Sequence, residues 1–450
     1  MSAVASQLRS RVSVPALVGR VRDDSLLRNS LLIMSTTVVN SAFGFVFWLL
    51  AARLFSTQAV GLTAALIATA TIVMLLASLG VGGMLIQSLP EQGDRAGWSQ
   101  TLWAGMVTAT LTSVAIAAAA LLVLPVLSHE VAVLERADYA VLFLVGTVTM
   151  TAGGVLDYVF IAQRAAGNML GRNAAVAAAK LGAIVLLSVA FASSGVGLLA
   201  AWATASVLGL GLGLFLLVRE TSLAAPVRPT ELIRIARRHR ARLAGHQLIG
   251  MGGAMLPYLL PLVVTTRLSS SDNAYFYTTW MMAGIFLIIA PAVSQSLFAE
   301  GVHNPHELMV KARSALGLIG AILVPGIVAI FVLGGPLLSA FGPAYEQHAA
   351  GLLRLVLVAS IADAITQLYV AVLRVEQRLR TAAALNLGMG AGTVLLSWAL
   401  LPRLGITAVG WSFLAMQLCG CVFVLFDVRR PRRIPAEPMV APQVPAMEPV

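Results

Sequence analysis

A few charged and polar side chains interrupt otherwise apolar runs, and they are where any chemistry must lie. Lys180 stands alone as a lysine in an apolar segment, roughly two turns in from a basic connection. A cation there is costly and usually faces a cavity or a partner. The alternatives are snorkelling to the near surface or pairing with Asp157, about one turn from the end of the preceding apolar run. Asp363 is the deepest acid in the chain, and acids at such depth often bind ions or protons. Its bland reading is a hydrogen bond inside the bundle. Arg354 lies nine residues before Asp363, on the opposite helix face, so a direct pair is not expected. Asn40, with Thr37, Ser41 and Gly44, forms a small polar stripe that either lines a cavity or lets helices approach closely.

Prolines mark a second kind of site. Pro257 and Pro261 lie one turn apart after Gly250, Gly252 and Gly253, while Pro291 and Pro325 interrupt later segments. Each removes an amide donor and bends its helix, which suits gating but also occurs in static bundles. Arg53 and Arg267 end matching segments and are expected to cap carbonyls or set topology. Cys419 and Cys421, two apart in one apolar stretch, read as small hydrophobic residues rather than a disulfide or metal pair. His303 and His306 in a short connection lack the order of a zinc site. Residues 93–97 read as an ordinary turn. No metal and no cofactor is expected.

The elements that position these residues are transmembrane helices. The sequence is 59% hydrophobic and 11% charged, with mean hydropathy +0.89. Soluble domains run near about 45–50% and 25%, so a water-soluble fold is excluded. The expectation is an all-α polytopic membrane protein of twelve spans. They fall at 29–52, 60–87, 99–124, 139–161, 173–192 and 197–218, then 244–266, 274–298, 314–334, 350–373, 382–401 and 406–427.

With the N-terminus inside, 24 of the 30 Lys and Arg fall on the cytoplasmic side. Four fall outside, namely Arg53, Arg136, Arg267 and Arg403. This bias predicts both termini in the cytoplasm. The net charge of +11 therefore reports topology rather than nucleic-acid binding.

The domain reading is a cytoplasmic segment 1–28, a first lobe 29–218, a basic loop 219–243, a second lobe 244–428 and a Pro-rich tail 429–450. The halves echo each other. Arg53-Leu54 matches Arg267-Leu268 at an offset of 214, Glu91 precedes Glu300, and Arg164/Arg374 and Gly195/Gly405 match at 210. Two six-helix lobes of one orientation, related by a parallel internal repeat, follow.

Residues 47–91, from Phe47 through "AARLFSTQAVGL" to "LPE", resemble the opening of the Wzx-like oligosaccharide flippases, within the superfamily that also holds the lipid II flippase and the MATE exporters. Residues 266–300 look like the same unit in the second half, and 157–180 are similar to a later connection. The resemblance implies a V-shaped pair of lobes with a central cavity. It also implies that an undecaprenyl-diphosphate-linked saccharide is flipped to the outer leaflet of the inner membrane. In that reading Lys180 contacts the diphosphate, Asn40 and Arg354 line the cavity, and Asp363 or Asp157 serves coupling or an ion pair. Partners would be the lipid-linked substrate, membrane lipids and glycosyltransferases or a polymerase of the same pathway.

A cation-coupled MATE-type exporter is the alternative, although spans 29–52 and 244–266 carry no acid. A polymerase or ligase is less favoured, because the outer loops 125–138 and 335–349 are too short for a catalytic domain. No enzymatic activity is expected.

Overall fold

The computed structural model describes residues 25–78, 80–191, 194–220, 256–303 and 307–429. The basic loop, the glycines before Pro257, His306 and nearly all of the tail fall outside them. Fourteen α-helices and one 3-10 helix make up the described elements, with no strand among them. They run α1 (Ser25–Leu54), α2 (Thr57–Ala77), α3 (Val81–Ser88), α4 (Arg95–Leu127), the 3-10 helix His129–Glu135, α5 (Ala137–Ala162), α6 (Ala166–Phe191) and α7 (Gly195–Glu220). After the undescribed stretch come α8 (Leu256–Arg267), α9 (Ser270–Leu287), α10 (Ile289–His303), α11 (Leu308–Ser339), α12 (Pro343–Val375), α13 (Leu379–Leu404) and α14 (Thr407–Val428). Among the described residues, eleven helical segments are long and apolar enough to cross a bilayer. The expected seventh is represented by α8, which keeps only twelve described residues.

Two expected spans are broken helices. The second divides at Ser78, whose hydroxyl donates to the Met74 carbonyl (2.6 Å), and at Gly80, whose φ of 74° is left-handed. Glycine takes that conformation without the penalty of a Cβ. The eighth divides at Ile288, three residues before Pro291. Proline has no amide to give the Leu287 carbonyl, so the ladder is interrupted there. Hydropathy sees neither break, because both lie inside apolar runs.

Helices α1–α7 pack mainly on one another, and so do α8–α14. In the first group α1 lies on α6, α4 on α5, and α7 on both α5 and α6. In the second, α8 lies on α13, α11 on α12, and α14 on both α12 and α13. Local geometry also recurs. Ser56 and Ser269 cap α2 and α9, each accepting the amide three residues on. Arg164 and Gln377 both take positive φ, 57° and 58°, after α5 and α12.

The groups meet where α2 packs on α8 and α9, near the helix ends that carry Arg53 and Arg267. Trp48 and Tyr277 touch there with ring centroids 4.8 Å apart, and Phe45 meets Phe341 edge-on at 5.5 Å. One apolar core runs through this seam, from Phe47 and Ala64 to Phe276 and Leu357. Towards the opposite end, α3 turns to α4 and α5, and α10 turns to α11 and α12.

Candidate functional site

Helix α6 begins at Ala166, two turns earlier than hydropathy indicates. The chain reverses at Arg164 and Ala165, whose amides donate to the carbonyls of Ile161 (3.0 Å) and Phe160 (2.8 Å). The longer helix changes the depth of Lys180. It stands fourteen residues from Ala166 and eleven from Phe191, near mid-helix rather than near one surface. Snorkelling over that distance would have to span about 16–21 Å at about 1.5 Å per residue, beyond the reach of a lysine.

Lys180 lines a cavity of about 220 Å³ inside the first group of helices. Asn173, Val176, Ala177 and Lys180 supply one face of α6 at helical spacing. Asn40 and Gly44 enter from α1, Met150 from α5, and Trp202, Ala205 and Ser206 from α7. Gly44 leaves open space where a larger residue would intrude. The Lys180 ammonium lies 4.8 Å from the centroid of the Phe47 ring. A cation over an aromatic face gains a modest electrostatic contact but keeps its net charge.

Asp157 is not the partner of Lys180. Its Oδ1 accepts from Arg172 Nη1 (2.8 Å) and from Asn173 Nδ2 (3.1 Å). The Arg172 side chain is buried, and its Nε donates to the Gly209 carbonyl at 2.8 Å. Glycines make room for it. A Cβ on Gly153 would fall on the guanidinium, and one on Gly213 would crowd its Nε and Cδ. Arg172, counted by sequence among the loop charges, is thus a core residue that ties α5, α6 and α7 together. The pair consumes the one acid nearby, and no carboxylate among the described residues reaches Lys180.

Arg354 does not join this cavity. It sits on the exposed face of α12 with Val358 and Ile361. Asp363, on the same helix, is buried. Its Oδ1 accepts from Gln417 Nε2 (2.9 Å) and, more weakly, Gln367 Nε2 (3.4 Å), while Thr366 donates to Gln417 Oε1 (2.8 Å). Its Oδ2 accepts nothing among the described residues. The polar cluster leaves one carboxylate oxygen available to a proton or a small cation.

Sequence reasoning missed one buried acid. Asp427, near the end of α14, accepts Tyr369 Oη (2.5 Å) and a two-pronged Arg378 guanidinium (2.6 and 2.9 Å). In sequence it is the last residue of the final expected span, and no role is read for it there. The arginines ending α1 and α8 do bind carbonyls, but on other helices. Arg53 Nε reaches Ala340 O (2.7 Å), and Arg267 Nε reaches Trp398 O (3.3 Å) while stacking on that indole. Pro261 lies within α8, where the Thr265 hydroxyl donates to its carbonyl (2.9 Å). Pro257 is the second described residue of α8.

Residues 26–236 match the family described as polysaccharide biosynthesis protein. The fold is shared with solved membrane transporters. The lipid II flippase MurJ in an inward closed conformation superposes with a TM-score of 0.69 at 11% identity, covering 89% of this chain and 88% of that one. A multidrug resistance MATE family transporter of the MOP superfamily, inward-facing, gives 0.67 at 15% identity, covering 89% and 97%. An outward-facing MATE transporter gives 0.59 at 15% identity, covering 90% and 95%. No curated protein sequence matches the chain significantly. The protein is an all-helical, multi-pass membrane protein with the fold of the MOP superfamily.

Proposed function

We propose that the protein is a flippase that carries a lipid-linked saccharide, with an anionic diphosphate, from the cytoplasmic to the outer leaflet of the inner membrane. The observation that carries this reading is Lys180. A lysine at mid-helix, in a cavity walled by two amides, a hydroxyl and an indole, has no carboxylate partner among the described residues, because Arg172 occupies Asp157. A hydrated head group cannot cross hydrocarbon unaided, since each unpartnered polar group costs several kcal/mol. A fixed cation among hydrogen-bonding side chains offers a diphosphate and its sugars a path of replacement contacts. The match of residues 26–236 to polysaccharide biosynthesis proteins and the MurJ-like fold support the same substrate class.

In this account α1–α7 and α8–α14 are two lobes related by an internal repeat, and they rock about the seam. The 24-to-4 charge bias supports both termini lying in the cytoplasm, with the end bearing Arg53 and Arg267 facing outward. The lobes meet at that end. Asp363, with one free carboxylate oxygen, is the candidate for coupling to a proton or cation. Arg354 is assigned to lipid rather than to substrate. Glycosyltransferases or a polymerase of the pathway are the proposed partners, and no bond of the substrate is broken. Reconstitution into liposomes carrying a fluorescent lipid-linked saccharide tests the proposal. Lys180-dependent appearance of the saccharide in the opposite leaflet supports it, and no flipping by the wild-type protein contradicts it.

A further inference from the structure

Where the two lobes meet, the contact is made of directional bonds as well as apolar packing. Glu130 comes from the 3-10 helix between α4 and α5, positioned by Ser128, whose hydroxyl accepts the Glu130 amide (3.2 Å). Its Oε2 crosses to the second lobe and accepts both the Ser270 amide (2.9 Å) and the Ser270 hydroxyl (2.5 Å). Ser270 is the first residue of α9, so its amide is one of the helix's orphan donors. Ser269 satisfies Asp272 but not Ser270. The carboxylate of one lobe therefore completes the helix cap of the other, where a negative charge also suits the helix dipole.

One turn further, Asn273 Nδ2 donates to the Gly61 carbonyl of α2 (2.7 Å). Both Ser270 and Asn273 are fully buried. Gly61 lies so close to the Ser270 carbonyl that a Cβ there would overlap it. Arg53 adds a fourth crossing bond, to Ala340 at the end of α11.

We infer that Glu130, Ser270, Asn273 and Gly61 form an inter-lobe latch that holds this end of the transporter shut and is built to release. Glycine at 61 allows the backbones of α2 and α9 to close. Glu130 and the Asn273 amide nitrogen then fasten them. The latch is only half satisfied, because the buried Asn273 Oδ1 has no partner. Opening the seam returns that acceptor, the Ser270 amide and the Glu130 carboxylate to water, so hydration on opening offsets the bonds lost. The hinges sit where such a motion needs them. The breaks at Gly80 and Ile288 separate α2 and α9, which form the seam, from α3 and α10, which stay with their own lobes.

The inference concerns conformation and does not depend on the identity of the substrate. It is tested by placing spin labels on cysteines at Arg136 and Arg403, exposed sites at this end on opposite lobes, in a full-length chain with Cys419→Ala and Cys421→Ala. Pulsed dipolar distances are compared for the parent, Glu130→Ala/Asn273→Ala and Gly61→Ala, each in samples that elute as monodisperse protein. The latch predicts one dominant short distance in the parent and a new longer population in the variants. Gly61→Ala acts by bulk and the double variant by loss of bonds, so a misfolded Gly61→Ala still leaves the double variant to decide. A double variant with the parent's distance distribution overturns the inference.

Discussion

The Asp157 carboxylate lies 2.8 Å from the Arg172 guanidinium and makes no bond to Lys180, although Lys180 follows on the same helix as Arg172. That choice of partner decides the electrostatics of the first lobe. Arginine, with its planar fork, suits a buried carboxylate better than lysine does. Once Asp157 is neutralised, the charge on Lys180 is the uncompensated one.

Breaking the Arg172–Asp157 pair from one side strands a buried charge, which costs about 3–5 kcal/mol. Arg172→Ala should therefore lower the thermal unfolding midpoint in detergent substantially. Lys180→Ala, which strands no acid, should leave it near that of the parent. Equal losses in the two variants would mean that Lys180 is also a structural ion-pair member.

Asp427 is held by Tyr369 and Arg378 in the second lobe. Tyr369→Phe removes one hydrogen bond to a charged group, worth about 1.5–3 kcal/mol. Arg378→Ala removes two bonds and the counter-charge, so it should destabilise more. The order is checked by thermal unfolding of the two variants side by side. A Tyr369→Phe protein less stable than Arg378→Ala would contradict it.

If Asp363 couples transport to an ion or proton, Asp363→Asn should fold normally, because the amide oxygen can still accept from Gln417. It should also flip substrate with no response to an imposed proton or sodium gradient. A parent and variant with the same gradient response would remove Asp363 from coupling.

The charge bias predicts the membrane topology. Cysteines introduced at Arg136 or Arg403 should label from outside intact cells, and one at Arg430 should not. Outer labelling at Arg430 would reverse the orientation assigned to the seam.

Much of this architecture is legible in sequence because a bilayer demands long apolar helices, and they stand out in composition alone. The cavity-lining positions Asn40 and Lys180 were legible for the same reason, as polar groups where none is expected. Arg172 was not. It lies near the start of its helix and counts as a loop charge until α6 is seen to begin at Ala166. A signal did exist, in the glycines at 153, 209 and 213 that leave space around its side chain. The helix breaks at Gly80 and Ile288 were also hidden, since apolar residues flank both. Periodicity gives a helix face but not what that face meets, and Arg354 lies on the exposed face of α12 with Val358 and Ile361, away from the cavity that holds Lys180.

Lys180 remains the centre of the account, and the most direct measurement is flipping of a lipid-linked saccharide at matched expression for Lys180→Ala, Lys180→Arg and Lys180→Ala/Asp157→Ala. If the ammonium meets the diphosphate, Lys180→Ala abolishes flipping while the protein still inserts. Lys180→Arg keeps part of the activity, because the charge survives and only its geometry changes. The double variant stays inactive, because Asp157 belongs to Arg172 and its removal restores nothing to the cavity. Full activity in Lys180→Ala, or recovery of flipping in the double variant, would contradict the account.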